Sequence, residues 1–320
     1  MTNAIGGYFE LELRKGEHYH KNAIRLNSGR NCFEYILRAR GYKRVYMPFY
    51  TCEVLYEPLR RTGVERIDYR INEQLEPIAL PDLKEGEAFL YTNYYGLKQI
   101  CVEHLAQKYG NRLIVDNAQA FYADPIEGID TFYSPRKFFG VSDGGYLYTD
   151  SLLEGDFKQA KSMQRMSHLL KRIEDGAEVG YADYQKEEAT LVNRPIERMS
   201  KLTDALLGTI DYEKIAQERV TNYRILDEQL GQSNVIHFEM RQGNVPMAYL
   251  YLTSDENLRS KLIKNKVFVA TYWPNINNDN SYETYLKHHL LPLPIDQRYN
   301  EDVMNQVINL IHNNIYECKN

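Results

Sequence analysis

Short apolar runs alternate with helix-like segments through the first half of the chain, and this alternation limits the possible folds more than any other feature. Residues 44–47, 87–92 and 113–115 are apolar runs of strand length, and segment 97–109 carries apolar side chains at helical spacing between the last two. Strands that alternate with helices of this length are typical of a parallel or mainly parallel sheet covered on both faces. We therefore expect an α/β fold.

The second half of the sequence has a different character. Residues 154–173 and 183–230 are predicted to be mostly helical, with a break near 193–195. Further elements are predicted as strands at 235–238, 248–252 and 267–270 and as helices at 255–264 and 301–315. We divide the chain into a large domain, residues 1–214, and a small C-terminal α+β domain, residues 215–320, and expect a continuous helix to join them.

Composition argues against several classes of function. The net charge of −5 gives no electrostatic reason to expect nucleic acid or an anionic membrane as a partner. We see no apolar run long enough to span a bilayer and no secretory signal in residues 1–15, so a cytoplasmic location is expected. Cys32, Cys52, Cys101 and Cys318 are far apart in sequence, which predicts reduced thiols and no metal site.

Lys137 stands in a segment that could make it reactive. An aromatic run at 130–133 precedes it, the aromatic pair 138–139 follows it, and the glycine pair 144–145 ends the segment. Most lysines are exposed and solvated, which is the simpler explanation for an isolated one. Apolar surroundings would instead make the amine nucleophilic and able to condense with an aldehyde.

Asp116 ends the apolar run 113–115 and is the natural companion of Lys137. Ligands of parallel sheets bind beyond the carboxyl ends of the strands, so Asp116 is expected at a ligand-binding edge, although it could simply cap the next turn. A lysine that binds the aldehyde and an acid that keeps the pyridine nitrogen protonated are what pyridoxal 5'-phosphate (PLP) requires. Gln119 could donate to the phenolate oxygen of that cofactor.

A possible phosphate site precedes the first helical pattern. Ser28 or Asn31 suits an N-cap, and Gly29 allows a ligand to approach the backbone. Free N–H groups at a helix start bind anions such as phosphate, although an ordinary cap has the same sequence. Ser134 could hold a phosphate oxygen or simply begin the turn at Pro135.

Two aromatic pairs, 94–95 and 272–273, stand where predicted strands or domains end. Such side chains could stack on a sugar. Packing in the core or in an interface is the commoner role of each of them.

Several segments together carry a family resemblance. They are residues 28–30, 48–51, 116–119, 137–145, 198–202 and 291–294. These segments resemble, in order and over nearly the whole chain, the motifs of the DegT/DnrJ/EryC1/StrS family of PLP-dependent aminotransferases. The family has the aspartate aminotransferase fold (fold type I), so the resemblance implies a mainly parallel seven-stranded sheet between helices and a small C-terminal domain.

The resemblance also implies roles for individual residues. Lys137 would bind PLP and move the proton between cofactor carbon and substrate carbon, Asp116 would pair with the pyridine nitrogen, and Gln119 would contact the ring oxygen. The phosphate would lie at Ser28, Gly29, Arg30 and Ser134. The expected reaction moves an amino group from glutamate to a keto sugar, with or without an attached nucleotide. The expected assembly is a homodimer with active sites at the subunit boundary.

The sequence departs from the family pattern at several of these positions. Arg30 replaces a small residue, where it could bind the phosphate or pair with a nearby acid, and Cys52 replaces the aromatic residue that stacks on the ring, a role that Tyr50 could take. Ile196 stands where an asparagine is usual, and Asn193 could reach the same place. These changes favour an alternative: a PLP-fold homodimer that has lost transamination and acts as a binding or regulatory protein.

Overall fold

A seven-stranded sheet forms the centre of the protein, which a computed structural model describes over residues 5–277 and 279–317. Its strands are β1 (Ile24–Leu26), β2 (Arg44–Pro48), β3 (Glu65–Tyr69), β4 (Glu87–Thr92), β5 (Leu113–Asn117), β6 (Asp130–Tyr133) and β7 (Gly145–Tyr148). The strand order is β1-β7-β6-β5-β4-β2-β3. β7 runs antiparallel to both of its neighbours, and the other neighbouring pairs are parallel, so the mainly parallel sheet is confirmed.

Helices surround this sheet and continue into the second half of the chain. They are α1 (Gly29–Arg40), α2 (Tyr56–Thr62), α3 (Gln99–Tyr109), α4 (Ser167–Glu174), α5 (Ala177–Ala189), α6 (Lys201–Leu207), α7 (Tyr212–Leu230), α8 (Leu258–Lys264), α9 (Tyr282–His289) and α10 (Glu301–Glu317). A separate antiparallel pair, β8 (Ala248–Leu252) and β9 (Leu290–Pro294), packs with α7 and α9. α7 runs across residue 215, where a continuous helix was expected, and the division into two domains stays a prediction.

Alternate side chains of β4 enter two different cores. Leu90 packs in one core with Ile36 of α1, and Phe89 packs in the other with Leu105 of α3. Because successive side chains of a strand point to opposite faces, the two cores lie on opposite faces of the sheet. The sheet is therefore buried on both sides, as predicted.

Two predicted strands do not form. The runs 235–238 and 267–270 are irregular. The N–H of Val267 donates to Leu262 at the end of α8, and the side chain of Asn234 accepts from the N–H of Ile236, so local partners replace a strand ladder. β9 pairs with β8 instead, and its sequence does not predict a strand.

The helix predicted at 154–173 is also largely wrong. α4 covers its end, whereas residues 154–162 have no helix. The N–H of Ala160 donates to the carbonyl of Arg198, and the N–H of Arg198 donates to that of Lys158, which ties this stretch to another part of the chain. The break near 193–195 is confirmed between α5 and α6.

The structure also bears on membrane insertion and on the state of the cysteines. No helix within the described ranges is long and apolar enough to cross a bilayer. Cys32 and Cys101 are buried free thiols and Cys52 is a half-buried one, whereas Cys318 lies outside the described residues.

Candidate active site

Asp116 lies at the middle of the carboxyl edge of the sheet. It is the penultimate residue of β5, and it is in register with Thr92 of β4 and Phe132 of β6. Only 5% of Asp116 is exposed. The expected position at the ligand-binding edge of a parallel sheet is therefore the position observed.

Burial makes Asp116 an unusual carboxyl group. Desolvation raises its pKa to about 6, while the backbone N–H of Ala118 and the positive charge of Lys137 act in the opposite direction. The N–H of Ala118 donates to Oδ1 over 2.8 Å, which is also the turn cap that the sequence allowed. Among the described residues, no Lys, Arg or His nitrogen lies within ion-pair distance of this carboxylate.

Lys137 ends a helical turn, Pro135–Lys137, that follows β6. Burial raises the pKa of Asp116 and Cys52, and the positive charge of Lys137 acts against this rise in both. The same charge helps to lower the pKa of Glu188, and Nζ of Lys137 lies 6.0 Å from the centre of the Tyr272 ring. Lys137 and Asp116 therefore share one site. The side chain of Lys137 is exposed in the single chain, so the enclosing apolar surroundings suggested by the sequence are not provided by this chain alone.

α5 is attached to the lysine segment by an ion pair. Arg136 Nη1 and Nη2 donate to the two carboxylate oxygens of Glu188 over 3.1 and 2.7 Å. A fork-to-fork arrangement of this kind fixes orientation as well as distance. Sequence reasoning missed Glu188, because a glutamate on a helix fifty-two residues away carries no local signal of such a contact.

The side-chain amide of Gln119 is fixed by a hydrogen bond to its oxygen. Its Oε1 accepts from the N–H of Tyr95 over 3.1 Å. Within the described part of the chain its Nε2 donates no hydrogen bond. This orientation leaves a donor at the edge of the sheet beside Asp116, as the role proposed from sequence requires.

Ser28, Gly29 and Ser134 form a possible anion site. Ser28 is the N-cap of α1, where its Oγ accepts from the N–H of Asn31. A Cβ built on Gly29 would lie 3.7 Å from Cβ of Ser134, so the start of α1 adjoins the end of β6. In the described residues the N–H of Arg30 and the hydroxyl of Ser134 have no hydrogen-bond partner. Such an arrangement suits a phosphate.

The glycine pair 144–145 lets β7 approach this anion site. A Cβ on Gly145 would lie 2.6 Å from the backbone carbon of Ser28, which no side chain could tolerate. Gly144 has φ of +117°, a conformation that favours glycine. The two glycines therefore allow the backbone of β7 to pass directly beside the start of α1.

Arg30 takes the second of the two roles considered from sequence. Its Nη1 donates to Glu57 over 3.0 Å and to the carbonyl of Leu191 over 3.2 Å, and both ion-pair partners are buried. Glu57 also accepts from the N–H of Asn193. The guanidinium of Arg30 therefore ties segment 191–193 to α1, so a phosphate at the start of α1 would have to be bound by the backbone N–H of Arg30 rather than by its side chain.

Tyr50 lies in the core. Its ring is 4.2 Å from that of Trp273 in an edge-to-face contact, and its carbonyl accepts from the hydroxyl of Tyr94 over 2.8 Å. With 1% of Tyr50 exposed, the structure argues against it as the residue that stacks on a cofactor ring. Tyr94 and Tyr95 are buried too, which leaves the pair 272–273 as the aromatic residues nearer the surface.

A cavity of about 460 Å³ opens beside Lys137. Cys52 and segment 270–277 line it, with Tyr272 and Trp273 among the walls. This volume is within the range of small-molecule sites, and its walls are apolar and aromatic with a few polar groups. Cys52 thus lies beside Lys137, where the sequence comparison with the family placed the ring-stacking residue.

Comparison with known proteins supports the architecture. No protein-family model matches the chain, and no curated protein does. Solved structures do match. DesV of S. venezuelae, in complex with a ketimine intermediate, is 17% identical with a TM-score of 0.63, over 90% of this chain and 83% of that one.

Two further structures give the same result. NtdA of Bacillus subtilis, with bound cofactor PMP, is 17% identical with a TM-score of 0.64, over 91% of this chain and 72% of that one. The sugar aminotransferase CalS13 of Micromonospora echinospora is 13% identical with a TM-score of 0.59, over 90% and 86%. The chain therefore has fold type I of the PLP-dependent transferases, the fold expected from its resemblance to the DegT/DnrJ/EryC1/StrS aminotransferases.

Proposed function

We propose that the chain is a PLP-dependent aminotransferase that moves an amino group from glutamate to a keto sugar, free or linked to a nucleotide. The observation that carries the proposal is Asp116: a buried carboxyl group without a cationic partner in the described structure, on which the charge of Lys137 acts. The shared fold supports it, since NtdA binds PMP and CalS13 is a sugar aminotransferase.

The residues present fit PLP on three separate counts. Asp116 lacks the cation that its burial calls for, and a pyridinium N–H would supply one. Gln119 offers an amide N–H at the same edge. The hydroxyl of Ser134 and the N–H of Arg30 at the start of α1 lack acceptors in the described residues, and a phosphate would provide them. When bound, PLP supplies an aldehyde and an electron-accepting ring.

Each residue then has a physical task. Lys137 would hold the aldehyde end of PLP through Nζ, and the same amine is placed to hold the proton that such chemistry moves. Asp116, with a pKa raised by burial to about 6, is mostly ionised at neutral pH and would accept from the pyridine nitrogen. Tyr272 and Trp273 offer aromatic faces in the cavity, which suits a sugar ring.

The amino donor can be tested with the cofactor-loaded protein alone. We expect glutamate, added without acceptor, to remove the absorbance of lysine-bound PLP and to leave the amino form of the cofactor, with release of 2-oxoglutarate. Stopped-flow absorbance measures the first event and chromatography the second. Aspartate and alanine serve as matched donors. Binding of PLP without conversion by any amino acid would contradict the proposed reaction.

A second candidate has its own support. Arg30 is occupied by Glu57, Tyr50 is in the core, and a thiol replaces the stacking ring. These three features would weaken the binding of a cofactor. They favour a PLP-fold dimer that has lost transamination and acts as a binding or regulatory protein. The same donor experiment separates the two candidates, because this one predicts binding of PLP and no response to amino acids.

We further propose that the active protein is a cytoplasmic homodimer in which a second copy covers Lys137. The hairpin formed by α4 and α5 exposes four large apolar side chains, Leu170, Ile173, Val179 and Tyr181. Exposed apolar side chains in such number on one short hairpin favour an interaction site there. The hairpin adjoins the lysine segment through the Arg136–Glu188 ion pair. A partner seated there would enclose the exposed amine.

Ile173→Glu tests this assembly, since 80% of Ile173 is exposed in the single chain. We expect the variant to sediment as a monomer and to bind PLP at least roughly tenfold more weakly, because a buried carboxylate would oppose the interface. Leu152→Glu is the matched control. Leu152 is also exposed, but it lies near the end of α1, at the other edge of the sheet from Lys137. A wild-type chain that sediments as a monomer while binding PLP would exclude the homodimer.

A further inference from the structure

Phe138, the residue that follows Lys137, is held by two side chains from the last third of the chain. Nε2 of Gln297 donates to the carbonyl of Phe138 over 2.8 Å. The guanidinium carbon of Arg219 lies 4.6 Å from the centre of the Phe138 ring. Phe138 is 3% exposed, so both contacts are made in the interior. We call Arg219, Gln297 and Phe138 the clasp.

Arg219 is an uncommon residue in its own right. It is 2% exposed, and its Nη1 donates to the carbonyl of Met247 over 3.1 Å. Its Nε has no partner, and none of the described carboxylates lies within ion-pair distance. Burial lowers its pKa to about 10, with the charge of Asp296 acting in the opposite direction. The ring of Phe138 therefore helps to stabilise this buried cation, together with the carbonyl of Met247 and the charge of Asp296.

Arg219 and Gln297 belong to one structural unit. Arg219 is on α7, and Gln297 is in the loop between β9 and α10. Asn222, also on α7, donates to the carbonyls of Ile295 and Tyr299 over 3.2 and 3.0 Å, which fixes that loop to the helix. The two sides of the clasp therefore move together.

We propose that Arg219 and Gln297 are positioning residues that set the place of Lys137 through Phe138. The side chain of Lys137 is exposed and makes no hydrogen bond within the described ranges, so its backbone decides where the amine can reach. That backbone is a tight turn in which the N–H of Phe138 donates to Pro135 over 3.0 Å. Gln297 and Arg219, from the C-terminal part of the chain, fix Phe138, the residue at which the chain leaves this turn.

The test uses the full chain and two kinds of measurement. Gln297→Leu removes the donor at a half-buried position, where folding is least at risk, and Arg219→Met removes the charge. In cofactor-free protein we expect both variants to change the rate at which acetic anhydride labels Lys137, measured by mass spectrometry against Lys108 in the same sample. This readout does not depend on the proposed function.

The second measurement rests on the proposed function. With PLP at saturation, we expect the ratio of lysine-attached to unattached cofactor, trapped with borohydride, to fall roughly tenfold in either variant, and the absorbance of the attached form to shift. Arg219→Lys should restore much of this ratio, because it keeps a cation over the ring. Arg219→Met and Phe138→Leu should be strongly non-additive, since they remove one contact.

Asn234→Ala is the control for a purely structural effect. Asn234 is buried in the same region and bonds to the backbone at Leu250 and Leu252, away from Phe138. It should lower the unfolding temperature and leave labelling and attachment unchanged. The clasp is overturned if Gln297→Leu and Arg219→Met fold and label Lys137 at the wild-type rate. If the wild-type protein did not bind PLP, the proposed function would be contradicted. The labelling rates of cofactor-free protein would still test whether the clasp positions Lys137.

Discussion

Lys137→Ala is expected to abolish the covalent attachment of PLP completely. The alanine variant has no amine at this site, and Arg136 beside it cannot condense with an aldehyde and is engaged by Glu188. Absorbance of the lysine-bound cofactor should be missing, and borohydride treatment followed by peptide mass spectrometry should find no adduct on the peptide that contains position 137. Turnover with glutamate should fall to background.

Two variants make this result specific. Lys137→Arg keeps the positive charge near Asp116 and should retain noncovalent PLP without the attached form. Lys108→Ala, at a half-exposed position near the end of α3, should behave as wild type. An adduct on a different lysine of the wild-type chain would contradict the assignment of Lys137.

Asp116→Asn is expected to weaken PLP binding at least about a hundredfold and, without cofactor, to stabilise the protein at neutral pH. The loss of affinity follows because removal of one member of a buried charged pair typically costs 3–5 kcal/mol. The gain in stability has the opposite origin: in the ligand-free protein the charge of Asp116 is buried without a cationic partner among the described residues. Asn keeps an acceptor for the N–H of Ala118.

The pH dependence of this gain has a definite sign. The pKa of Asp116 is raised from 3.8 to about 6, so the folded state keeps a proton that the unfolded state has already lost. Stability from this group is present below pH 3.8 and is lost as pH rises to about 6, by on the order of 3 kcal/mol. Urea unfolding should therefore show the variant gaining on wild type between pH 4 and 7.

Asp143→Asn provides a control of opposite sign for that experiment. Asp143 is fully buried, but it accepts from the hydroxyl of Ser200 over 2.8 Å and from that of Thr203. Its replacement should destabilise the protein at neutral pH. If Asp116→Asn also destabilised the cofactor-free protein at pH 7, the account of Asp116 as an unmatched buried charge would be wrong.

The sequence predicted those parts of the site whose signals are local. The apolar run before Asp116 became β5, 87–92 became β4, and Ser28 became the N-cap of α1. In each case neighbours in sequence are also the groups that decide the structure: a run of β-forming side chains, or a hydroxyl three residues before an N–H.

The missed features depend on contacts between distant residues. The local sequence allows Tyr50 to stack on a cofactor ring. It does not show that Trp273, more than two hundred residues later, packs against Tyr50 in the core. β9 was missed because Pro292 and Pro294 argue against a strand, although they are tolerated in a two-stranded pair where one edge is open. Arg30 could be assigned only once Glu57 was seen to lie beside it.

All seven strands of the large sheet lie between residues 24 and 148, and this has a consequence for the order of events during synthesis. Domains of a growing chain fold from the amino-terminal end as they emerge. The sheet, Asp116 and the lysine turn can therefore be in place before Arg219 and Gln297 have been translated. The nascent protein would present the lysine turn before its clasp has formed, and Lys137 would take its final position only after residue 297 has been added.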